Sequence, residues 1–327
     1  MSSKKNILIT GGAGFIGSHL IDFLLNNGNY TITCIDNFDT FYDPQLKRKN
    51  IEPHINNKNF KLVEADITDK NLSEKLDEQY DIVVHLAAKA GVRPSIKDPV
   101  LYQQVNVVGL QNILEIAKQK SVKQFLFGSS SSVYGINPNI PWKESDAALM
   151  PVSPYASSKI AGEWVGKTYS QLFGMRFIAL RFFTVYGPRQ RPDLAINNFT
   201  RKINSGEPIN FFGEGNTLRD YTFVKDTVSG IVAAMKYDQS NFEIMNLGNN
   251  HPVTLSQLVS ALEKVLGKKA ILNKLPEQEG DVPVTYADIS KAQQLLNYNL
   301  ETKLEEGLKL FVDWVLQNTT GSWQEDF

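Results

Sequence analysis

Short apolar runs recur through the first half of the chain, separated by longer stretches in which apolar positions return every three or four residues. The short runs at 6–10, 31–36, 60–64, 81–86, 124–128 and 176–181 predict β-strands, and the stretches at 15–27, 100–118 and 154–173 predict amphipathic helices. Strands separated by helices need crossover connections. The pattern therefore predicts an α/β fold, a doubly wound parallel sheet with helices on both faces. Beyond about Gly187 the rhythm changes. Pro188-Arg189-Gln190-Arg191-Pro192-Asp193 is loop-like, Gly213-Glu214-Gly215-Asn216 marks a turn, and helices at 194–204, 255–266 and 304–314 accompany a Pro/Gly-rich stretch at 276–283. Two regions are expected: residues 1–187, and a smaller α/β lobe over 188–327 assembled against the first, with chain exchange between them.

Composition narrows the classes of partner. The chain has 327 residues, 42% of them hydrophobic, enough for a sizeable core. Its formal net charge is -1 and its 34 basic residues are dispersed, which argues against a nucleic-acid or anionic-membrane partner. The single cysteine, Cys34, excludes an internal disulfide and fits a reducing compartment; within an apolar strand it reads as a small buried hydrophobe. No signal segment precedes Ile7-Leu8-Ile9-Thr10, and no apolar run approaches the roughly 18 residues that span a bilayer. A cytoplasmic protein is expected, and no metal.

The first candidate chemistry is Gly11-Gly12-Ala13-Gly14-Phe15-Ile16-Gly17, which follows a strand directly and opens a helix. Glycines there permit a tight turn, close approach of the backbone to a pyrophosphate, and close helix–strand packing. The helix N-terminus adds free N–H groups and a partial positive charge. Asp36 ends the next strand, 19 residues after Gly17. A carboxylate there can accept from both ribose hydroxyls and repels a 2′-phosphate, so NAD is favoured over NADP. A glycine-rich turn beside a solvated aspartate is the bland alternative.

The second is Ser153-Pro154-Tyr155-Ala156-Ser157-Ser158-Lys159, with Gly128-Ser129-Ser130-Ser131-Ser132-Val133-Tyr134-Gly135 upstream. Ser153 can cap a helix that Pro154 begins, and the spacing of Tyr155 and Lys159 puts both on one face. A phenol with a pKa near 10 is a poor base at neutral pH; bringing it there takes roughly 4 kcal/mol of differential stabilisation. The lysine charge, the helix N-terminus and an oxidised nicotinamide all favour the phenolate. Cofactor loop and proton-transfer group together read as nicotinamide redox chemistry on a hydroxyl group.

The wider glycine spacing, the serine-ended fifth strand and the Tyr-Lys pair resemble the short-chain dehydrogenase/reductase superfamily, in its extended branch of nucleotide-sugar enzymes with a Rossmann fold. The resemblance runs from Asn6 to about Asp226. It implies that Asp66 and Ile67 hold the adenine, that Leu86, Ala87, Ala88 and Lys89 lie along the cofactor with Asn106 on the following helix, and that Lys159 also holds the nicotinamide ribose. It further implies that Ser130 bridges the substrate oxygen and Tyr155, and that Asn198, Arg219 and Asp281 hold the nucleotide or its phosphates. For Arg219, a salt bridge to Asp220 or Glu214 competes with that role. Members of the branch are usually homodimers through a four-helix bundle, to which 100–118 and 154–173 correspond.

Related enzymes share a first step, oxidation of the sugar at C4 to a ketone. Dehydratases place an Asp-Glu pair immediately after the catalytic hydroxyl, and decarboxylases carry a Glu two positions after it. Here those positions are Ser131 and Ser132, which cannot serve as acid or base for C–H chemistry at neutral pH. Return of hydride to the opposite face remains, which is C4 epimerisation. Asp36-Asn37-Phe38, Phe41-Tyr42-Asp43-Pro44 with Leu46-Lys47, the serine run and Arg181-Phe182-Phe183-Thr184-Val185-Tyr186-Gly187-Pro188 look like UDP-glucuronate 4-epimerases. In that group a Thr, an Arg and the serine hydroxyls bind the sugar carboxylate, which here implies Thr184, Arg191, Ser131 and Ser132. The group usually has Pro-Trp-Gly-Arg-Pro-Asp where this chain has Pro188-Arg189-Gln190-Arg191-Pro192-Asp193. UDP-glucose/UDP-galactose and UDP-N-acetylglucosamine therefore stay open as substrates. So do a decarboxylase or dehydratase, a simple dehydrogenase and a non-catalytic NAD-binding protein.

Overall fold

The computed structural model describes residues 4–277 and 281–318, so part of the Pro/Gly-rich stretch at 276–283 lies outside the described residues. In chain order the first half comprises β1 (Lys5–Thr10), α1 (Phe15–Asn26), β2 (Tyr30–Asp36), α2 (Pro44–Ile51), β3 (Phe60–Glu64), β4 (Ile82–His85), α3 (Val92–Lys97), α4 (Pro99–Gln103), α5 (Leu110–Gln119), β5 (Gln124–Ser130), α6 (Pro154–Phe173) and β6 (Arg176–Phe182). The second half follows with β7 (Thr184–Tyr186), α7 (Ala195–Ser205), β8 (Pro208–Phe212), β9 (Leu218–Phe223), α8 (Val224–Ala234), β10 (Phe242–Leu247), β11 (Pro252–Thr254), α9 (Leu255–Leu266), β12 (Ile271–Leu275), α10 (Ser290–Leu296) and α11 (Leu304–Asn318).

Seven parallel strands form the main sheet in the order β10-β6-β5-β4-β1-β2-β3. Ile7, Leu8 and Ile9 of β1 are fully buried, as expected of a strand covered by helices on both faces. The order reverses beside β1, and in such sheets the crevice at the C-terminal strand ends beside that switch point is where ligands bind.

The five remaining strands of the described residues form two lesser sheets, β11-β9-β7 and β12-β8. Strands cross the expected boundary in both directions: β10 joins the main sheet beside β6, whereas β7 pairs with β9. A buried carboxylate reinforces the joint. Asp220 accepts backbone N–H bonds from Asn249, Asn250 and Ala287. The segment between β5 and α6 is bound in too, because Trp142 stacks on Tyr134 and its carbonyl accepts from the Asn246 side chain.

One local feature differs from the sequence expectation. The helix predicted over 100–118 is α4, a π-helical segment over Gln104–Gly109, and α5, in unbroken succession. Asn106 in that segment is buried by three hydrogen bonds, to both backbone groups of Lys89 and to the Ser158 hydroxyl. Such a wide turn commonly marks a place where function outweighs helix regularity. On α6, the Ser153 hydroxyl accepts from Ala156 N–H and Gly174 closes the helix in a left-handed conformation, φ +67°. A side chain at Gly162 or Gly166 would run into the rings of Phe127 and Phe177, so α6 lies directly on β5 and β6. That contact brings Tyr155 to the end of β5.

Candidate active site

One cavity of about 610 Å³ opens at the C-terminal ends of the main-sheet strands. Gly11, Gly14, Phe15, Ile16 and Gly17 line it, with Asp36, Asn37, Asp66 and Ile67 and the 86–89 loop of Leu86, Ala87, Ala88 and Lys89. Ser130, Ser131, Ser132, Tyr155, Lys159, Thr184 and Arg191 line the same space. Asn106, Asn198, Arg219 and Asp281 lie outside its lining.

The glycine loop is shaped by close approach. Gly11 has φ +70°, and a β-carbon there would sit 2.7 Å from Ala87 N; one on Gly17 would sit 2.4 Å from the Gly11 carbonyl oxygen. Only bare backbone fits, which leaves the loop and the start of α1 open to an anion. Asp36 braces this turn from β2, accepting from Ala13 N–H at 3.1 Å and Phe38 N–H at 2.9 Å. A carboxylate has about four acceptor sites, so the buried Asp36 keeps capacity for ribose hydroxyls. Burial raises its pKa, against the pull of Lys47 and these bonds. Asp66 is also partly buried, but hydrogen bonds from Thr68 and Asn37 outweigh burial and hold it below the usual range. These residues fit a dinucleotide: bare-backbone cradle at the pyrophosphate end, carboxylates at the nucleoside end, and a floor of Ala87 and Ala88.

At the other end, Ser130 accepts from Ser132 N–H at 3.2 Å and donates to the Ser132 hydroxyl at 3.1 Å. The Lys159 ammonium donates to the Gly128 carbonyl at 2.7 Å and lies 4.9 Å from the Phe127 ring centroid. Burial depresses its pKa to about 8, only partly opposed by Glu163. From the sequence, Lys159, the helix N-terminus and an oxidised nicotinamide are together expected to acidify Tyr155. From the protein groups alone, burial raises that phenol, and the Ser130 hydrogen bond and the Arg191 charge only moderate the rise. The lysine stands 5.9 Å from the ring centroid and spends a hydrogen bond on backbone, which weakens its hold on the phenol. An oxidised nicotinamide would add positive charge beside the phenol.

Several residues here carry no mark in the sequence analysis. Glu163 forms a two-pronged pair with Arg181, at 2.9 and 2.8 Å, with both side chains 2% exposed, and accepts from the Ser129 hydroxyl at 2.6 Å. The pair locks α6 to the ends of β5 and β6 and so fixes Tyr155 against Ser130. The only sequence signal was Glu163's position one turn after Lys159. Asp39 and Lys89 pair at 2.7 Å, joining the 37–43 loop to the 86–91 loop across the cavity. Arg191 lies 5.2 Å from the Phe41 ring centroid and forms a fork with Asp193 at 3.0 and 2.8 Å. Arg219 does not bridge to Asp220 or pair with Glu214; it lies 3.8 Å from Asp281, which also pairs with Arg93 at 3.4 Å. Asn198 is half-buried on α7.

Known proteins place this geometry. A profile of the NAD-dependent epimerase/dehydratase family matches residues 7–248. A UDP-glucuronate 4-epimerase of Thermodesulfobacterium geofontis is 40% identical over 95% of this chain and 96% of its own. The crystal structure of UDP-glucuronic acid 4-epimerase from Bacillus cereus, in complex with UDP-glucuronic acid and NAD, superposes with a TM-score of 0.90 at 38% identity, covering 95% of this chain and 99% of that one. UDP-N-acetylglucosamine 4-epimerase from Methanobrevibacter ruminantium, in complex with UDP-N-acetylmuramic acid, gives 0.89 at 32% identity, covering 97% and 100%. With a matching profile over most of its length and relatives of this similarity covered nearly end to end, the chain belongs to the NAD-dependent epimerase/dehydratase family.

Proposed function

We propose that this enzyme inverts C4 of a UDP-sugar through a transient 4-keto sugar, with NAD as resident cofactor and UDP-glucuronate to UDP-galacturonate as its reaction. The observation that carries the reading is one cavity lined by the glycine loop, Tyr155, Lys159 and Ser130, with serine hydroxyls at the two positions where related chemistries need carboxylates. The T. geofontis and B. cereus relatives, both UDP-glucuronate 4-epimerases, support the substrate.

NAD, when bound, supplies reversible two-electron redox chemistry at the sugar carbon. Tyr155 takes the proton of the C4 hydroxyl and later returns it. Ser130, oriented by Ser132 N–H, holds the sugar oxygen beside the phenol. Lys159, anchored on Gly128 O, contributes charge and a donor to the cofactor ribose. Glu163 and Arg181 keep the proton-transfer group in register without touching substrate. Thr184, Ser131, Ser132 and Arg191 supply donors and a charge for the carboxylate. Asn198, Arg219 and Asp281 can serve the nucleotide only from outside the cavity lining, where Arg93 joins them.

A neutral or N-acetylated sugar is the second reading. The Arg191–Asp193 fork favours it, since a sugar carboxylate must share a guanidinium whose Nε–Nη2 edge is already engaged by Asp193. Separate incubations with UDP-glucuronate, UDP-glucose and UDP-N-acetylglucosamine, followed by chromatography of the C4 epimers, decide between them. Conversion of UDP-glucuronate alone or fastest is expected; exclusive conversion of a neutral sugar rejects the acidic substrate.

The assembly we infer is a homodimer. Val100 is 76%, Trp164 55% and Leu172 69% exposed, and all three lie on the helices that pair across the dimer in this branch of enzymes. Light scattering showing a monomer at working concentration would overturn that inference. Among the described residues no helix is long and apolar enough to cross a membrane, and no group of three or more His, Cys, Asp or Glu side chains could hold a metal ion.

A further inference from the structure

The loop at 188–193 departs from its usual sequence at Arg189 and Gln190, and both residues are held in ways that the bare sequence does not explain. Arg189 has φ +65°, a left-handed conformation that arginine rarely adopts. Its guanidinium lies 2.8 Å from one oxygen of Asp22 on α1, and the other oxygen of Asp22 accepts from His54 at 2.6 Å. One turn earlier on α1, the His19 ring N–H donates to the Pro188 carbonyl at 2.8 Å. On the far side Gln190 is buried, with its side-chain amide N–H donating to the Val185 carbonyl and its backbone carbonyl accepting from the Asn197 side chain. Arg189 and Gln190, which lead into Arg191, are therefore pinned, one to α1 and the other to β7 and α7. From this clamp Arg191 reaches the cavity, over the Phe41 ring.

α1 is the helix that the glycine loop opens, so its position is set by the cofactor end of the cavity. We propose that Arg189 is a positioning residue for substrate choice: its ion pair with Asp22 ties the arm bearing Arg191 to the cofactor-loop helix and thereby sets where that guanidinium meets an acidic sugar. This inference rests on the glucuronate reading. Strain at residue 189 is tolerated because the ion pair and the His19 bond over-determine the backbone. A loop there only to close the surface would gain from glycine, which adopts that backbone without strain.

That contrast supplies the test. R189G keeps the backbone accessible and removes the tether; D22N removes its charge from the other side; R189K keeps a cation. KM and kcat for UDP-glucuronate, and the inhibition constant of UDP-glucose against it, are measured in full-length enzyme loaded with NAD, with the melting temperature as a folding control. R189G and D22N are expected to raise KM for UDP-glucuronate about tenfold, to leave kcat within about twofold, and to leave the inhibition constant of UDP-glucose unchanged, with R189K recovering most of the loss. An unchanged KM for UDP-glucuronate in R189G, or equal rises for both sugars, overturns the proposal. If R189G does not fold, D22N and R189K carry the same comparison. Wild-type enzyme inert on UDP-glucuronate sinks the substrate reading and this inference with it, whereas active wild-type enzyme with an unaltered R189G sinks the inference alone.

Discussion

The two ends of the cavity are built from different materials. At the cofactor end the surface is backbone: Gly11, Gly14 and Gly17, the start of α1 and the Ala87-Ala88 floor, with Asp36 spending both oxygens on main-chain N–H groups. At the sugar end it is side chains, from the end of β5, from β7, from α6 and from the 188–193 loop. Backbone leaves little to vary, since any side chain at Gly17 meets the Gly11 carbonyl. Side chains on separate loops can change one at a time, which is how related chains can share a cofactor while differing in sugar.

Breaking the chemistry at the junction should have the largest effect. Tyr155→Phe is expected to lower kcat by about 10³-fold or more while NAD stays bound, because the proposed proton acceptor is lost. Unchanged turnover would remove Tyr155 from the mechanism. At the backbone end, Gly17→Ala should weaken NAD binding by about 100-fold, since the loop must move off the Gly11 carbonyl to make room. Calorimetric titration of NAD into stripped enzyme reads this directly; retained affinity would show the loop to be softer than its contacts imply.

Lys159 joins the two ends, and its substitution separates activity from stability. Its folded pKa of about 8 lies below the ordinary 10.5, so the folded state binds its proton less well than the unfolded chain does. Burying that ammonium costs about 3 kcal/mol at neutral pH, a cost that fades as pH rises from about 8 to 10.5. Lys159→Met should therefore lose about 100-fold in kcat yet gain about 1–3 kcal/mol of stability at pH 7, after forfeiting the bond to Gly128 O, with the gain vanishing toward pH 10.5. Chemical denaturation at the two pH values measures it; equal stability at both would refute the buried-charge argument. The smallest effect belongs to the half-exposed Asp281. Removing its loose pairs with Arg93 and Arg219 should change stability by less than about 1 kcal/mol, read from the denaturation midpoint of Asp281→Ala.

The same division explains what could be read before folding. The cofactor end is local in sequence: strand, glycines, helix, strand and acid follow in order, so Gly11 to Asp36 declared themselves, as did Tyr155 and Lys159 one turn apart. The sugar end is a meeting of distant loops. Nothing near Arg191 predicts that Phe41 would lie against its guanidinium, and the pairing of Arg189 with Asp22 joins residues far apart in sequence. β10 reads as part of the second lobe because its place beside β6 is a long-range pairing. The raised Tyr155 phenol was likewise hidden, because burial belongs to the assembled cleft and not to the motif. Glu163 needed Arg181 and Ser129 beside it before it meant more than a polar helix position.

The most direct measurement follows an isotope. UDP-glucuronate carrying deuterium at C4 is incubated with the NAD-loaded enzyme, and recovered sugar is analysed by NMR and mass spectrometry. Removal and return at one carbon within one cavity predicts inverted C4 with the deuterium still attached and no accumulation of NADH. Label lost to water, or NADH appearing in step with product, would contradict it.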